Sequence, residues 1–379
     1  MPAGSPFKFE IFYKSTKSQA RVGRIHTPHG IIDTPGFVPV GTNGAVKALS
    51  NPQVETAGAQ LIFSNTYHLM VRPGLEVLKA AGGLHKFTAR QAPIITDSGG
   101  FQVFSLKYGG VAAELKSQGK KITGNLVEKI SEEGVLFRSY VDGHKIFLSP
   151  ETSIQAQKII GADLIVAFDE LLPYNIDRKY QLKSLHRTHR WEERSLIEHK
   201  KDPRDQAMYA VVHGGIDKEM RKISCDFLSQ LDFDGMAVGG SVGKDLAEMQ
   251  TMLQDLMPQM PHSRPVHLLG MGDLPSIIAS VPLGIDTFDS AYPTRAARHG
   301  LLLAEPQNIK VARQSSYANF GPIDKDCTCA TCQNYTVAFL THLFKAQELL
   351  FFELATLHNL TFMAKFMAKQ RQQILAGLI

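Results

Sequence analysis

Gly284-Ile-Asp-Thr-Phe-Asp-Ser-Ala-Tyr-Pro-Thr-Arg-Ala-Ala-Arg-His-Gly300 begins as a short β-prone run, ends that run on a carboxylate, Asp289, and passes into helical spacing. Pro293 stops the strand, because it has no N–H to give a ladder. Arg295 and Arg298 follow at i, i+3 and point the same way. The same grammar occurs seven times upstream. Apolar runs stand at 36–40, 60–65, 93–97, 163–169, 208–213, 235–240 and 266–272. All but the first end on Gly, Asn, Asp or His, and a helical segment usually follows. Near-continuous apolar runs suit parallel strands buried on both faces. Eight of them, counting 285–289 and alternating with helices, predict an α/β protein. Its centre is an irregular (β/α)8 TIM barrel, with a doubly wound sheet as the rival architecture.

The flanks of the barrel have their own character. Residues 1–35 alternate weakly and read as an antiparallel β meander or lid. The barrel is expected over 36–320. The stretch 104–148 is too long and too irregular for one crossover helix, and reads as an insertion after the third strand. Within it Asp142-Gly143 marks a hairpin turn between Val135–Val141 and His144–Leu148. Ser149, Pro150 and Glu151 supply an N-cap, an N1 proline and a first-turn acid for a helix running to about Ile160. Asp177 to about Lys200 reads as a long, charged, solvent-facing helix. Its arginines 187, 190 and 194 are weighed as a solvated face against an RNA contact. Residues 321–379 form an inserted C-terminal zinc-binding subdomain with helices packed on the barrel.

Apolar residues make up 44% of the chain and charged residues 20%, which is the balance of a water-soluble globular protein. The net charge of +5 (41 basic minus 36 acidic) permits a polyanionic partner without demanding one. No run is long enough for a membrane span, and the N-terminus carries no apolar signal segment, so a cytoplasmic location is expected. Four cysteines are too few for a disulfide framework.

In a barrel the chemistry sits at the C-terminal ends of the strands. That rule gathers Asn65, Asp97, Asp169, His213, Gly239, Gly240, Gly270 and Asp289 at one mouth. Asp97-Ser98-Gly99-Gly100-Phe101-Gln102 offers a carboxylate, an aromatic ring and glycines that let a flat ligand approach the backbone. Gly239-Gly240 adds the same permissiveness. This set suits a planar heterocycle that donates hydrogen bonds, such as a purine-like base. The pair Asp97 and Asp289 suits glycosyl chemistry, one carboxylate meeting the anomeric carbon and the other moving a proton. Taken singly, Asp97 also fits a turn aspartate, and Asp289 with its arginines an ion pair capping a strand. Cys327-Thr-Cys329-Ala-Thr-Cys332 is C-x-C-x2-C. Three thiolates and one imidazole make a closed tetrahedral zinc site, which is structural because no position is left open. His342 and His358 both compete for the fourth place. Cys225 stands alone as a buried apolar side chain.

Asn65-Thr-Tyr-His-Leu-Met-x-Arg-Pro-Gly74, Thr96-Asp-Ser-Gly-Gly-Phe-Gln-Val-Phe-Ser105, Phe168-Asp-Glu170, Phe288-Asp-x-x-x-Pro-Thr-Arg295 and the cysteine cluster together resemble the bacterial tRNA-guanine transglycosylase (queuine tRNA-ribosyltransferase) family. The resemblance runs in order over nearly the whole chain. It implies an irregular (β/α)8 barrel with one structural Zn2+ per subunit, working as a homodimer. It implies exchange of guanine at the wobble position of GUN-anticodon tRNAs for a 7-deazaguanine base, preQ1 or queuine. By motif match Asp289 is the nucleophile and Asp97 the general acid/base that also holds the base. Asp169 takes the guanine-like edge, with Ser98, Gly99, Gly100, Phe101, Gln102, His213, Gly239 and Gly240 lining the pocket. Gly270, Met271, Gly272, Asp273, Leu274, Pro275, Ser276 and Thr294, Arg295, Ala296, Ala297, Arg298 match the segments that grip the anticodon loop. The family pattern also selects His358 as the fourth zinc ligand, beside Cys327, Cys329 and Cys332.

Several positions depart from the usual bacterial pattern. Phe101 takes the place of a tyrosine, and can still stack on a base. Val-Gln-Gly-Gly is here Val212-His213-Gly-Gly215. Cys-Thr-Pro is Leu171-Leu172-Pro173. Gly-Gly-Leu-Ala-Val-Gly-Glu is Gly239-Gly-Ser-Val-Gly-Lys244, one residue shorter and without its acid. In bacterial relatives the last three surround the aminomethyl group of preQ1, so their loss points toward the bulkier base queuine. Two other readings are weighed. A non-catalytic tRNA-binding paralogue would not need both Asp97 and Asp289. A zinc-dependent barrel hydrolase would need several histidines at strand ends around an open metal.

Overall fold

The computed structural model describes residues 7–108 and 126–379. Strands β1 (Lys8–Lys14), β2 (Arg21–Thr27) and β3 (Gly30–Thr34) form an antiparallel meander. Eight parallel strands follow. They are β4 (Gly36–Pro39), β5 (Ile62–Ser64) and β6 (Ile94–Thr96), then, after the three strands described below, β10 (Leu164–Val166), β11 (Ala207–Val212), β12 (Gly235–Val238), β13 (Val266–Leu268) and β14 (Thr287–Ser290). Every one falls on an expected apolar run. Their order is β4-β14-β13-β12-β11-β10-β6-β5, and a parallel bridge between Val40 and Phe63 joins the two ends. The sheet is therefore a barrel rather than a doubly wound sheet. Most strands are shorter than their runs, because the last residues of each run leave the ladder and become the loops of the mouth.

The meander closes the opposite end. Phe7, Ile25 and Ile32 are buried with Val38, Phe63, Ile95, Val166, Tyr209 and Val211, so side chains from the meander fill the lower barrel interior. Its polar anchors meet residues that precede strands. Arg21 Nε donates to Asp286 Oδ1 at 2.9 Å, and its other nitrogens donate to the carbonyls of His262 and Arg264. Val266 N–H donates to Asp286 Oδ2 at 2.7 Å. Burial pushes the Asp286 carboxyl up and the Arg21 guanidinium pulls it back. Removing one partner of such a pair leaves the other buried and uncompensated. Arg21→Ala is therefore expected to lower stability by about 3–5 kcal/mol, read as a shift in the urea midpoint. A second tie joins the meander turn to the barrel floor. His29 and His85 stack with centroids 3.6 Å apart and both bond Asp163, which also accepts from Ile94 N–H.

After β6 comes the helix Gly100–Tyr108, then a small antiparallel sheet of β7 (Val127–Ile130), β8 (Val135–Arg138) and β9 (Lys145–Leu148). Part of the expected insertion, 109–125, lies outside the described residues. The hairpin is present, but its strands stop at Arg138 and resume at Lys145. The turn is longer than two residues: Gly143 N–H donates to Ser139 O and Ser139 N–H to His144 O. Val135, Phe137 and Leu148 pack with Tyr67, Phe168 and Trp191, which seats this sheet over the barrel wall.

The expected cap at Ser149 is present, and Asp177 caps the next long helix. Pro150–Ile160 starts on Ser149 and ends on the left-handed Gly161. Arg178–Lys201 starts on Asp177. The solvent-facing reading of that second helix needs correction. Its inner face is polar and buried, with Arg187, Thr188, Glu192 and Ser195 all sequestered. Arg187 donates to Glu170, Arg190 pairs with Glu132 and Arg194 pairs with Glu151. Each of the three arginines has a carboxylate partner.

Beyond β14 the helix Tyr292–Arg298 leads to the short pair β15 (Leu301–Leu302) and β16 (Ile309–Lys310). Helices Ala330–Asn334 and Val337–Lys345 follow, and then the helix Leu349–Leu375. This last helix returns to the barrel. Leu360, Met363, Phe366 and Met367 join the main core, and the helix lies against β4 and Tyr292–Arg298. No described helix is long and apolar enough to cross a membrane.

Candidate active site and metal centre

The strand ends bring Asp97, Asp169, His213 and Asp289 to the mouth, all four of them buried. Asp97 follows β6. Its Oδ2 accepts from Asn65 Nδ2 and its Oδ1 from Thr66 N–H, both at 2.7 Å. Burial pushes its carboxyl up to about 6, against the hydrogen bonds from Asn65, Thr66 and Gln102, with Asp169 adding like charge. Such a group keeps a proton close to neutrality and can donate it. The sign for stability follows directly. The folded carboxyl binds its proton more tightly than the unfolded one, near 3.9, so the penalty is absent at low pH. It sets in as pH rises from about 4 to about 6, and reaches on the order of 2–3 kcal/mol at pH 7. Asp97→Asn is expected to be the more stable protein at pH 7, with the gain vanishing at pH 4. Urea unfolding at the two pH values checks this.

Asp169 follows β10. Its Oδ1 accepts from Ser98 Oγ and its Oδ2 lies against His213 Nε2, each at 2.8 Å. Gly100 sits directly against it. A Cβ there would come within 2.4 Å of Asp169 Oδ1, so only glycine permits this approach. Gly240 has φ of 76°, and its missing Cβ leaves room for the His213 ring. The N–H of Gly239 donates to Val212 O and is not free for a ligand. Phe101 is 43% exposed at the mouth, while Gln102 is buried and its Oε1 has no partner among the described residues. An orphaned buried acceptor next to an exposed ring is what a flat, hydrogen-donating ligand would complete.

Asp289 follows Phe288 on β14. Its Oδ1 accepts from Gly270 N–H at 2.7 Å and faces His267 Nε2 at 3.0 Å. The site thus holds one carboxyl that can exchange a proton near neutrality and a second carboxyl with one oxygen tied down, which is equipment for displacement at carbon with proton transfer.

The flanking segments divide. Arg295 is exposed and Arg298 half-buried with Nη1 unpartnered, whereas Thr294, Ala296 and Ala297 are buried. Asp273 caps the helix Leu274–Ser280 by accepting from Ser276 N–H, and Ser276 is itself buried. Gly270 and Pro275 are exposed, and Met271, Asp273 and Leu274 are partly so. Gly272 is buried against Ser290 and Phe37. Only some of these side chains can therefore touch a partner.

Two residues escaped the sequence reading. His267 lies in the middle of an apolar strand run, and that polar interruption was its signal. Arg221, in the helix Lys218–Ser229, is buried and donates to the carbonyls of Val212, Gly215, Gly239 and Ser241. It ties the two loops that carry His213 and Gly239-Gly240. Burial draws its guanidinium down to about 9.

Cys327, Cys329, Cys332 and His358 converge with all ligand atoms within 4.8 Å of one another. The three Sγ atoms lie 3.8, 3.7 and 3.3 Å from His358 Nδ1. These are close to the edges of about 3.6 Å of a tetrahedron with metal–sulfur and metal–nitrogen bonds near 2.3 and 2.0 Å. His358 Nε2–H donates to Leu303 O at 2.7 Å, which fixes the tautomer with Nδ1 free to ligate. His342 is exposed and outside the cluster. The four residues present fit a tetrahedral metal ion.

A family model described as queuine tRNA-ribosyltransferase matches residues 15–379. A relative of that name from Protochlamydia amoebophila is 60% identical over 373 residues, covering 98% of this chain and 96% of its own length. Another, from Chlamydia caviae, is 55% identical over 369 residues, covering 97% and 98%. One from Chlamydia trachomatis serovar L2 is 51% identical with the same coverage.

Proposed function

The chain belongs to the queuine tRNA-ribosyltransferase family, and we propose that it exchanges guanine at wobble position 34 of GUN-anticodon tRNAs for a 7-deazaguanine base through a covalent aspartyl–ribosyl intermediate. The observation that carries this reading is the pairing at one mouth of Asp97, whose carboxyl is pushed up to about 6 and can exchange a proton near neutrality, with Asp289, whose Oδ1 is tied by Gly270. Asp289 attacks the ribose C1′, and Asp97 protonates the departing base. An enzyme acting on a base within folded RNA must turn that base out, stack its face and read its edge. Phe101 supplies the stack. Asp169 and Gln102 accept from the edge, with Ser98, Gly99, Gly100, His213, Gly239 and Gly240 around them. Residues 270–276 and 294–298 meet the anticodon loop, with Arg295 and Arg298 on its phosphates. Once a base has left, exchange prevails over hydrolysis only if water is kept from the ester.

The metal is zinc, one per subunit and structural, because four protein ligands leave no place for substrate. It holds the C-terminal helix to the segment after β14. The working form is a homodimer in the cytoplasm. Phe320 and Leu349 stand 77% and 81% exposed in the zinc-bearing part, apolar surface of the kind an interface covers.

The incoming base is queuine rather than preQ1. A cavity of about 410 Å3 adjoins His213, walled by Leu172, Pro173, Tyr174, Gly215 and Ser241. It has room for a substituent larger than an aminomethyl group, and of the carboxylates that line it, Glu170 and Asp217, none comes from the segment 239–244. The test uses unmodified GUN tRNA with labelled guanine at position 34, given preQ1 or queuine separately. Label release with queuine is the expected result. Release with preQ1 alone would keep the exchange and overturn the choice of base. No release with either would favour the non-catalytic paralogue.

A further inference from the structure

His267 is 1% exposed on β13. Its Nε2 lies 3.0 Å from Asp289 Oδ1 and its Nδ1 2.8 Å from Thr287 Oγ1. Phe63 stacks on the ring, with centroids 6.0 Å apart and planes 17° from parallel. One proton arrangement satisfies all of this with a neutral ring: the Thr287 hydroxyl donates to Nδ1, and Nε2–H donates to Asp289. Gly270 N–H donates to the same carboxylate oxygen. Among the described residues no recorded donor reaches Oδ2. Asp289 thus presents one doubly held oxygen and one left for reaction.

We infer that His267 is a positioning residue that sets the balance between Asp289 as a free carboxylate and Asp289 as a ribosyl ester, and so governs release of the intermediate. The inference rests on the reading of Asp289 as nucleophile. In the first half-reaction Oδ2 bonds to C1′ as the C1′–N9 bond breaks, and guanine takes a proton on N9 from Asp97. In the second, N9 of the incoming base yields its proton to Asp97 and bonds to C1′. The C1′–Oδ2 bond breaks and its electron pair returns to Asp289. The free carboxylate carries a full negative charge and the ester none. A hydrogen bond to Oδ1 is therefore stronger before attack and after release than in between. Gly270 is enough to keep the carboxylate oriented. The second donor favours the anion over the ester and makes Asp289 a better leaving group. Without it the enzyme should stall as the covalent adduct.

The experiment incubates the full-length protein with GUN tRNA and no free base, quantifies adduct stable to denaturing electrophoresis, and measures exchange separately. For His267→Phe the ratio of adduct to free protein is expected to rise roughly tenfold, as for loss of one hydrogen bond to a charged group. The kcat should fall, with KM for tRNA unchanged. His267→Gln keeps an N–H donor and should return both toward the native values. Thr287→Val frees the tautomer and should shift the ratio the same way by less, which keeps the test open if the Phe variant does not fold. An unchanged ratio and kcat would overturn the inference. So would adduct and kcat falling together, the signature of a merely structural role. If the native protein itself forms no adduct, the nucleophile reading falls and this inference with it. A native adduct with unaltered variants removes the inference alone.

Discussion

Asp289→Asn is expected to lower guanine release from tRNA by at least roughly 10^3-fold, the scale on which enzymes lose a covalent nucleophile. The side chain keeps its volume, so the barrel is undisturbed. Its oxygen will turn to the Gly270 N–H and His267, which both donate toward the position of Oδ1. The amide NH2 is then left facing the sugar, where a nucleophilic oxygen is needed. Binding of tRNA should change by only a few-fold, because the exposed Arg295 and the half-buried Arg298 are untouched. Labelled guanine release and filter binding on the same preparation separate the two effects. Exchange within tenfold of the native rate would exclude Asp289 as the nucleophile.

The second large effect is expected from removing the metal. Chelation at pH 7 should release one zinc per chain and lower stability by several kcal/mol, since structural zinc sites contribute folding energy directly. The damage should be local at first. Asn359, next to the ligand His358, accepts from Leu303 N–H and donates to the carbonyls of Pro293 and Leu301. Loss of the metal therefore loosens the helix Tyr292–Arg298 as well as the cysteine loop. Proteolysis within 321–348, loss of tRNA affinity and loss of exchange should appear together. Activity lost from a chain that stays fully folded and protease-resistant would instead make the metal a catalytic one. Cys329→Ser should reproduce the chelated state.

The barrel was legible because parallel strands buried on both faces must be apolar throughout, and few other segments of this chain are. The cap at Ser149 was legible for an equally local reason: a side-chain oxygen three residues before an unsatisfied N–H. The inner face of Arg178–Lys201 was not. Charges are spread along its sequence, and Arg187 rather than Arg190 or Arg194 is the buried one because its partner Glu170 is brought in from another element. His267 and Arg221 were missed likewise. Each is a polar side chain whose partners, Asp289 in one case and four loop carbonyls in the other, are brought to it only by the closed barrel. The hairpin at Asp142-Gly143 was placed correctly but given a turn that was too tight, since composition marks a reversal better than its length. Of the meander or lid expected at the start of the chain, the described residues from 7 on form a meander that lies as a floor, a distinction of direction that periodicity does not carry.

Barrel closure between β4 and β5 is the thinnest part of the ring, a single bridge from Val40 to Phe63 with Gly41 N–H donating to Phe63 O. In amide hydrogen exchange this seam should breathe. Protons on residues 41 and 65, which donate to Phe63 O and Thr42 O across the seam, would be lost through sub-global openings well before those of β11 and β12, whose ladder is four pairs long. The helix Leu349–Leu375 lies across the outside of β4, so the amplitude of that breathing is set by how firmly its metal-anchored end is held. Slow exchange at the seam would report an intact cysteine cluster through the helix that carries His358.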